Sequence, residues 1–406
     1  YAHILLMCLG QKSPLPTDMS IVEGWANVLD SAQAQHEYHD KTTSAGPLRP
    51  LINWSNHHFP LSPLSFDVPG FRRAYQNRLL TAPGVVSSPA DALGTSLVIE
   101  NRKVDGAGDE LKRLTKQLLD LWVTPDGDEI EHAMLVWKWR TELTAGFYHR
   151  HFWPTAEQLS IHRKITVDQA ADFIARSQSH HKKLQEYHRE LRKWFKNNPS
   201  VPHMDSPMLV GKEMSKNQDT RVGRVLYTAW RQAKDAEFPE MVEREKAPVR
   251  VDDYKIKAAV EWADKNTRSD GIIWYFNQEI GVWVTEELKK KGIPCIHCPA
   301  GKDVDIFLTK PDVADRCRGH FLVASLKAHG TGKNLQFLHD QLFLQLPWTE
   351  DQAQQTIGRT HRTGQLADVV NVTTLVSNDT DELQLAAILN DSMYVFETSA
   401  SRRKVL

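Results

Sequence analysis

Two stretches of this 406-residue chain carry anion-binding residue types at short, regular intervals. In "QQTIGRTHRTGQ", Gln355, Arg359 and Arg362 are spaced by four and by three. On a helix such positions share one face. Two guanidinium groups on one face, beside a glycine (Gly358) that permits close approach, suit a polyphosphate. Each supplies fixed charge and a fork of N–H donors that matches phosphate oxygens. The second stretch, "AHGTGKNLQ", holds Gly330, Thr331, Gly332, Lys333 and Asn334. Its glycines let main-chain amides come close to an anion.

Both stretches sit where an α/β sheet would present them. From about residue 249, short apolar runs ("GIIWYF", "IPCIHC", "HFLVASL", "QLFLQLP", "VVNVTTLV") alternate with helical segments such as "YKIKAAVEWADKN" and "VWVTEELKKKG". That alternation predicts a mainly parallel sheet. Ligands of such sheets bind at the loops leaving the carboxyl ends of the strands. "KAHGTGKNLQ" leaves one predicted strand and the segment ending in "GRTHRTGQ" leaves the next, so both should open on one edge.

The upstream part reads differently. Residues 1–65 hold an apolar opening, "YAHILLMCLG", expected to be a buried strand, then a helix at "SIVEGWANVLD" and a loop rich in Pro and His. A core-type strand at residues that begin with Tyr1 suggests a polypeptide that extends further upstream. Residues 66–248 are mainly helical by pattern. The clearest helix follows Thr166, which can form a capping box with Gln169. Leu184, Tyr187, Leu191 and Trp194 give it an apolar stripe. Its other face is basic: residues 161–200 contain nine Lys/Arg against four Asp/Glu. That face, with Arg176, Lys182, Lys183, Arg189 and Lys193, is either solvated or a phosphate-contacting groove. "NNPSVPHMDSP" reads as a loop.

Composition narrows the classes. A net charge of −1 gives no global field for nucleic acid, so any such contact must be a local patch. Four scattered cysteines suit a reducing compartment, cytoplasmic or nuclear, rather than a disulfide scaffold. No apolar window is long enough for a membrane span. Cys295 and Cys298 form a C-x-x-C around His297, and Cys317 and His320 could complete a site with them in space. Two small residues at a strand end are the simpler reading, and no metal site is assigned. "GTGK" is followed by Asn334, where a P-loop needs Ser or Thr for magnesium, and no G-x-x-x-x-G-K-[ST] occurs anywhere. The Asp-Glu-x-x-His in "DGDEIEH" has no P-loop before it and reads as a chance match.

"QTIGRTHRTGQ" resembles motif VI of superfamily 2 helicases, above all the Swi/Snf-like branch, whose form is Q-x-x-G-R-x-H-R-x-G-Q. Trp348 matches the tryptophan that precedes that motif. "AHGTGKNLQ" resembles motif V, and "GIIWYF" the motif IV strand. "HILLMCLGQKSPLP" resembles, more loosely, the strand and turn of motif III near the end of a first lobe. A phage or prophage setting is expected.

The resemblance implies a layout: the tail of a first RecA-like lobe (1–65), a helical insertion (66–248) and a second RecA-like lobe (249–406). It implies ATP and Mg2+, the metal held mainly by an ATP-binding lobe outside this chain. Arg359 and Arg362 would be arginine fingers, with Gln355, Gly358, Gly330 and Gly332 near the nucleotide. Thr331, Lys333 and Asn334 would contact nucleic acid, DNA by analogy with the branch, RNA being open. The alternatives are a non-catalytic nucleic-acid-binding module that retains the lobe, and a plain P-loop NTPase, which the missing Ser/Thr disfavours.

Overall fold

The computed structural model describes residues 7–10, 13–16, 18–29, 48–83, 94–130, 133–197, 221–266, 271–310 and 312–399. Along the chain run α1 (Met19–Leu29), α2 (Arg49–His58), α3 (Val68–Thr81), β1 (Ser96–Lys103), α4 (Asp109–Leu121), α5 (Ala133–Thr144), β2 (Phe147–Phe152), α6 (Ala156–Arg163), α7 (Val167–Asn197), α8 (Arg221–Lys234) and β3 (Glu245–Arg250). Then follow α9 (Tyr254–Lys265), β4 (Gly271–Tyr275), α10 (Gln278–Lys290), β5 (Cys295–Cys298), α11 (Lys302–Thr309), α12 (Val313–Cys317), β6 (Phe321–Ser325), α13 (Leu326–His329), β7 (Asp340–Phe343), α14 (Glu350–Ile357), β8 (Val369–Val376) and α15 (Asp379–Ser399). No helix among the described residues is long and apolar enough to cross a membrane.

The chain divides into two compact units. One comprises 1–102, 262–376 and 381–406; the other comprises 103–261 and 377–380. This division is drawn differently from the three consecutive segments expected from the sequence. Residues 1–102 fall with the sheet-bearing unit, and 249–261 with the other.

The first unit is built on a six-stranded sheet in the order β1-β8-β7-β4-β6-β5. The pairs β4–β6, β4–β7, β5–β6 and β7–β8 are all parallel, so the predicted parallel sheet is present and has the form of a RecA-like lobe. Strands β4, β6 and β7 are buried on both faces, which is why they read as near-continuous apolar runs. Ile272, Trp274, Leu322, Phe343, Ile357, Val372 and Ile388 form the centre of its core. Strand β1 was not anticipated: its burial alternates, as an edge strand's does, and it lies in a stretch of mostly helical texture. A second, smaller core gathers Leu29, Leu48, Ile52 and Phe71 of α1–α3 around Tyr394 of α15. Of the opening expected as a buried strand, only residues 7–10 are described. Met7–Leu9 are helical and Met7 is 84% exposed; residues 1–6 lie outside the described part.

Among its described residues the second unit is mainly helical and carries the antiparallel pair β2–β3, whose strands are far apart in sequence. The expected capping box of α7 is present: Thr166 Oγ1 accepts from Gln169 N at 3.2 Å and Gln169 Oε1 accepts from Thr166 N at 3.1 Å. Tyr187 and Leu191 of its stripe are buried against Leu226 of α8. Trp194's side chain and the "NNPSVPHMDSP" loop fall outside the described residues.

The acidic turn before α5 binds the basic face of α7. Glu129 pairs with Arg189 at 3.1 Å and with Arg192; Asp128 pairs with Arg244 at 2.5 Å and His181 at 3.1 Å. Burial works against the Asp128 charge, but the His181 and Arg244 hydrogen bonds outweigh it and hold its pKa at about 2. The Asp-Glu-x-x-His is therefore an ion-pairing turn.

His188 is 3% exposed, and neither ring nitrogen finds a partner among the described residues. Burial, with Arg192 and His181 adding to it, pushes its pKa down to about 4. A folded-state pKa below the unfolded 6.5 means that unfolding takes up a proton between the two values. Stability is thus full above about pH 6.5 and falls as pH drops towards about 4, by up to about 3 kcal/mol from this group. Thermal melts across that window should show His188→Leu losing less stability on acidification than the wild type. Parallel acid limbs would remove His188 from the account.

Candidate functional site

The two anion-suited stretches meet at the carboxyl edge of the sheet. β6 and β7 flank β4, and because all three run parallel their following loops leave on one side. Ser325, the last residue of β6, caps α13 by accepting from Ala328 N at 3.4 Å. This one-turn helix ends at once: Gly330 N closes onto Leu326 O at 2.9 Å. A Cβ on Gly330 would stand 2.5 Å from Leu326 O and 2.8 Å from Thr356 Oγ1. Glycine is thus required where the loop touches α14. Gly332, at φ +73°, takes the left-handed turn with open space around it.

On the other side, Thr349 caps α14 by accepting from Gln352 N at 3.2 Å. The helix stops at Ile357, with Gly358 as its C-cap. The sequence expectation that Gln355, Arg359 and Arg362 share one helical face is corrected here. Arg359 and Arg362 lie in the turns after the helix, where Arg359 N bonds Thr356 O and Arg362 N bonds Thr360 O. The cause is below them. Thr360 is fully buried and its Oγ1 accepts from Gln341 Nε2 at 2.6 Å, while Gln341 Oε1 accepts from Trp274 Nε1 at 2.9 Å. This chain of buried polar groups draws the segment onto the sheet instead of letting it continue as a helix.

The two arginines therefore do different things. Arg359 is part-buried and donates to three main-chain carbonyls: from Nε to Gln355 O at 2.9 Å and to Gly330 O at 3.2 Å, and from Nη1 to Lys333 O at 3.2 Å. Leu335 N returns a bond to Arg359 O at 3.1 Å. Burial, and then the Arg362 charge, lower the Arg359 pKa. Arg362 is exposed, and its Nη1 donates to Asn334 Oδ1 at 2.5 Å. Gln355, Thr331, Gly332 and Asn334 are also exposed, and Lys333 is half-buried.

Three supporting residues were missed from sequence. Gln341 is described above. Gln345 accepts from Phe276 N at 2.8 Å and Asn277 N at 2.9 Å, tying the loop after β4 to the end of β7. Gln365 donates to Leu338 O at 2.8 Å and Thr360 O at 3.2 Å. The signal available was two glutamines in "DQLFLQLP", an otherwise apolar run, where a polar side chain must find a buried partner.

The C-x-x-C lies on β5. Burial, and secondarily Cys317, push the Cys298 thiol to about 12, as for a packed apolar side chain. No metal-ligating cluster occurs among the described residues. Of the basic residues on α7, Arg189 is held by Glu129, whereas Lys182 and Lys183 have no ion-pair partner among the described residues.

No family model matches the chain. It is 34% identical over 84 residues to the uncharacterized ATP-dependent helicase YqhH of Bacillus subtilis (strain 168); the match covers 20% of this chain and spans 15% of that relative's length. Among solved structures, the C-terminal part of the Fun30 ATPase domain aligns over 72% of this chain and 89% of its own, with 11% identity and a TM-score of 0.39. The Escherichia coli DEAD-box protein SrmB, bound to regulator of ribonuclease activity A, aligns over 34% of this chain and 78% of its own, at 20% identity and TM-score 0.28. The C-terminal domain of the DEAD-box protein Dbp5 aligns over 34% and 77%, at 16% and 0.29.

The geometry separates the arginines by stability. Arg359→Ala strips charged donors from three carbonyls and should cost roughly 1.5–3 kcal/mol. Arg362→Ala, at an exposed position, should stay within about 0.5 kcal/mol of the parent. Urea denaturation of both variants decides it, and equal losses would contradict the division of roles. Gly330→Ala should likewise lose about 1–3 kcal/mol by overpacking against Thr356; an unchanged midpoint would show that the loop gives way freely.

Proposed function

We propose that this chain supplies the second motor lobe of an ATP-dependent nucleic-acid translocase or helicase of the Swi/Snf-like type, acting on DNA. The lobe is the sheet-bearing unit, with β1 and β4–β8, and the insertion lies within residues 103–261. The observation that supports this reading is the union of the glycine loop with the "GRTHRTGQ" turn through Arg359, leaving Arg362 exposed at the carboxyl edge beside Asn334. The 84-residue similarity to an ATP-dependent helicase agrees with it.

The residues fit a triphosphate but not its metal. Arg362 is an exposed guanidinium, Gln355 an exposed amide, and the Gly330–Gly332 main chain lies open at Gly332. No carboxylate lies between Ala328 and Gln336 or between Gln355 and Gln365, so Mg2+ would be held by a Walker A-bearing lobe that this sequence does not contain. ATP, when bound, supplies the free energy of phosphoryl transfer. Arg362 would stabilise charge developing on the transferring phosphoryl group. Gln355 and Gly358 would sit near the phosphates. Arg359 would act by position, holding Gly330 and Lys333 against the turn. Thr331, Lys333 and Asn334 would then face the nucleic-acid backbone as one body with Arg362, so closure on nucleotide would shift the strand contacts. The second reading is a non-catalytic nucleic-acid-binding lobe, in which the exposed Thr331, Asn334 and Arg362 contact the strand alone.

Steady-state ATPase assays distinguish the two. The 406-residue chain alone should turn over negligibly. Joined to a Walker A-bearing lobe and saturated with DNA, Arg362→Ala should lower kcat by about 10³ while nucleotide affinity changes far less. Arg362→Lys should restore little, since the ammonium keeps charge but loses the planar fork. Turnover within about a factor of two of the parent would reject the motor reading.

A further inference from the structure

The arginines of the second unit described above are tied up: Arg189 and Arg192 by Glu129, Arg244 by Asp128, and Arg163 by the Glu240 and Met241 carbonyls at 2.8 Å each. The helical pair α2–α3 in the first unit is different. Residues 48–83 contain four arginines against one carboxylate, Asp67. Asp67 caps α3, accepting from Gly70 N at 2.8 Å. Arg72 is engaged by Glu397 at 2.5 Å and lies over Tyr394. Arg49, Arg73 and Arg78 have no ion-pair partner among the described residues, and Arg49 and Arg73 are exposed.

These cations are interleaved with rings. Arg78 lies 5.1 Å over the Trp54 ring, and Trp54 stacks on His58 with centroids 4.7 Å apart and planes 32° apart. Arg49 lies 6.0 Å from the centroid of Phe66, a ring left 57% exposed. The two helices are joined beneath by Asn77 Nδ2 donating to Ser55 Oγ at 2.8 Å and by the Leu51–Ile52–Phe71–Ala74 core.

Resting on the nucleic-acid reading above, we propose that the α2–α3 surface of Arg49, Trp54, His58, Phe66, Arg73 and Arg78 is a docking surface for single-stranded nucleic acid. The unpaired guanidiniums match phosphate charge. An exposed ring beside them, and a stacked column ended by an exposed imidazole, match the faces of unpaired bases, which a duplex hides. Such a surface holds a strand with little regard to its sequence. It also gives a chain of net charge −1 a local site for a polyanion: the charge lies on these helices, whereas on α7 Glu129 takes up Arg189 and Arg192.

The test is binding of fluorescein-labelled oligothymidylate to the full 406-residue chain without nucleotide, as a function of salt. The triple variant Arg49→Ala, Arg73→Ala, Arg78→Ala should bind at least tenfold more weakly, with the slope of log affinity against log salt reduced by about 2 for three lost phosphate contacts. The corresponding triple Arg→Lys variant should keep most of the slope. Phe66→Ala should weaken binding about tenfold with the slope unchanged, as loss of a stacked base does. An oligouridylate should compete and a duplex should compete poorly. Circular dichroism and melts check that each variant is folded. If the triple alanine variant binds normally while Lys182→Ala with Lys183→Ala loses affinity and slope, the α2–α3 proposal falls and the nucleic-acid reading survives through α7. Preference for the duplex, with Phe66→Ala silent, overturns the single-strand assignment. If the parent chain binds neither probe, the proposal and the reading on which it rests fail together.

Discussion

Arg359 is the side chain through which the two loops at the carboxyl edge become one object. A helix leaves its last carbonyls without intrahelical donors. In α14 one of these, Gln355 O, is taken by Arg359 Nε, while the same guanidinium reaches Gly330 O and Lys333 O across the loop after β6. Only a planar, multiply donating cation can bridge carbonyls on two separate segments; a lysine would present a point charge with no fixed directions. Gly330 lies close enough to α14 that a Cβ there would meet Thr356 Oγ1 at 2.8 Å, so the glycine and the arginine serve the same junction.

That contact holds its place because the sheet beneath carries polar side chains in an apolar layer. Gln341 is fully buried between Trp274 and Thr360, and Gln345 binds two consecutive main-chain amides after β4. A buried amide left unpaired costs a few kcal/mol, so each glutamine accepts few arrangements of its neighbours. An apolar residue at 341 would pack in β7 as well, but would say nothing about where Thr360 must sit. The network converts a stable core into a defined position for Arg362.

How far the sequence discloses this follows the range of the interactions. Strands β4 to β8 are legible because a strand buried on both faces must be a short, nearly continuous apolar run. The Thr166–Gln169 box is legible because its partners are three residues apart. β1 is not, since its alternating edge pattern resembles one face of a helix, and neither is β2–β3, whose register depends on residues about a hundred positions away. That part of the basic face of α7 is paired was not legible for the same reason: Glu129 and Arg189 are separated by 60 residues. Helical spacing placed Arg359 and Arg362 side by side, but Gln341, a residue of another strand, ends that helix.

The two arginines remain electrostatically coupled even though their contacts differ. Arg362 adds to the burial that disfavours the charge on Arg359, so the brace between the loops is held against repulsion from its exposed neighbour. An anion arriving at Arg362 would cancel part of that repulsion and so favour the charged form of Arg359, the form that bonds Gly330 O and Lys333 O. Such a link needs no long pathway, since the guanidinium that feels the charge is the one that holds the loop.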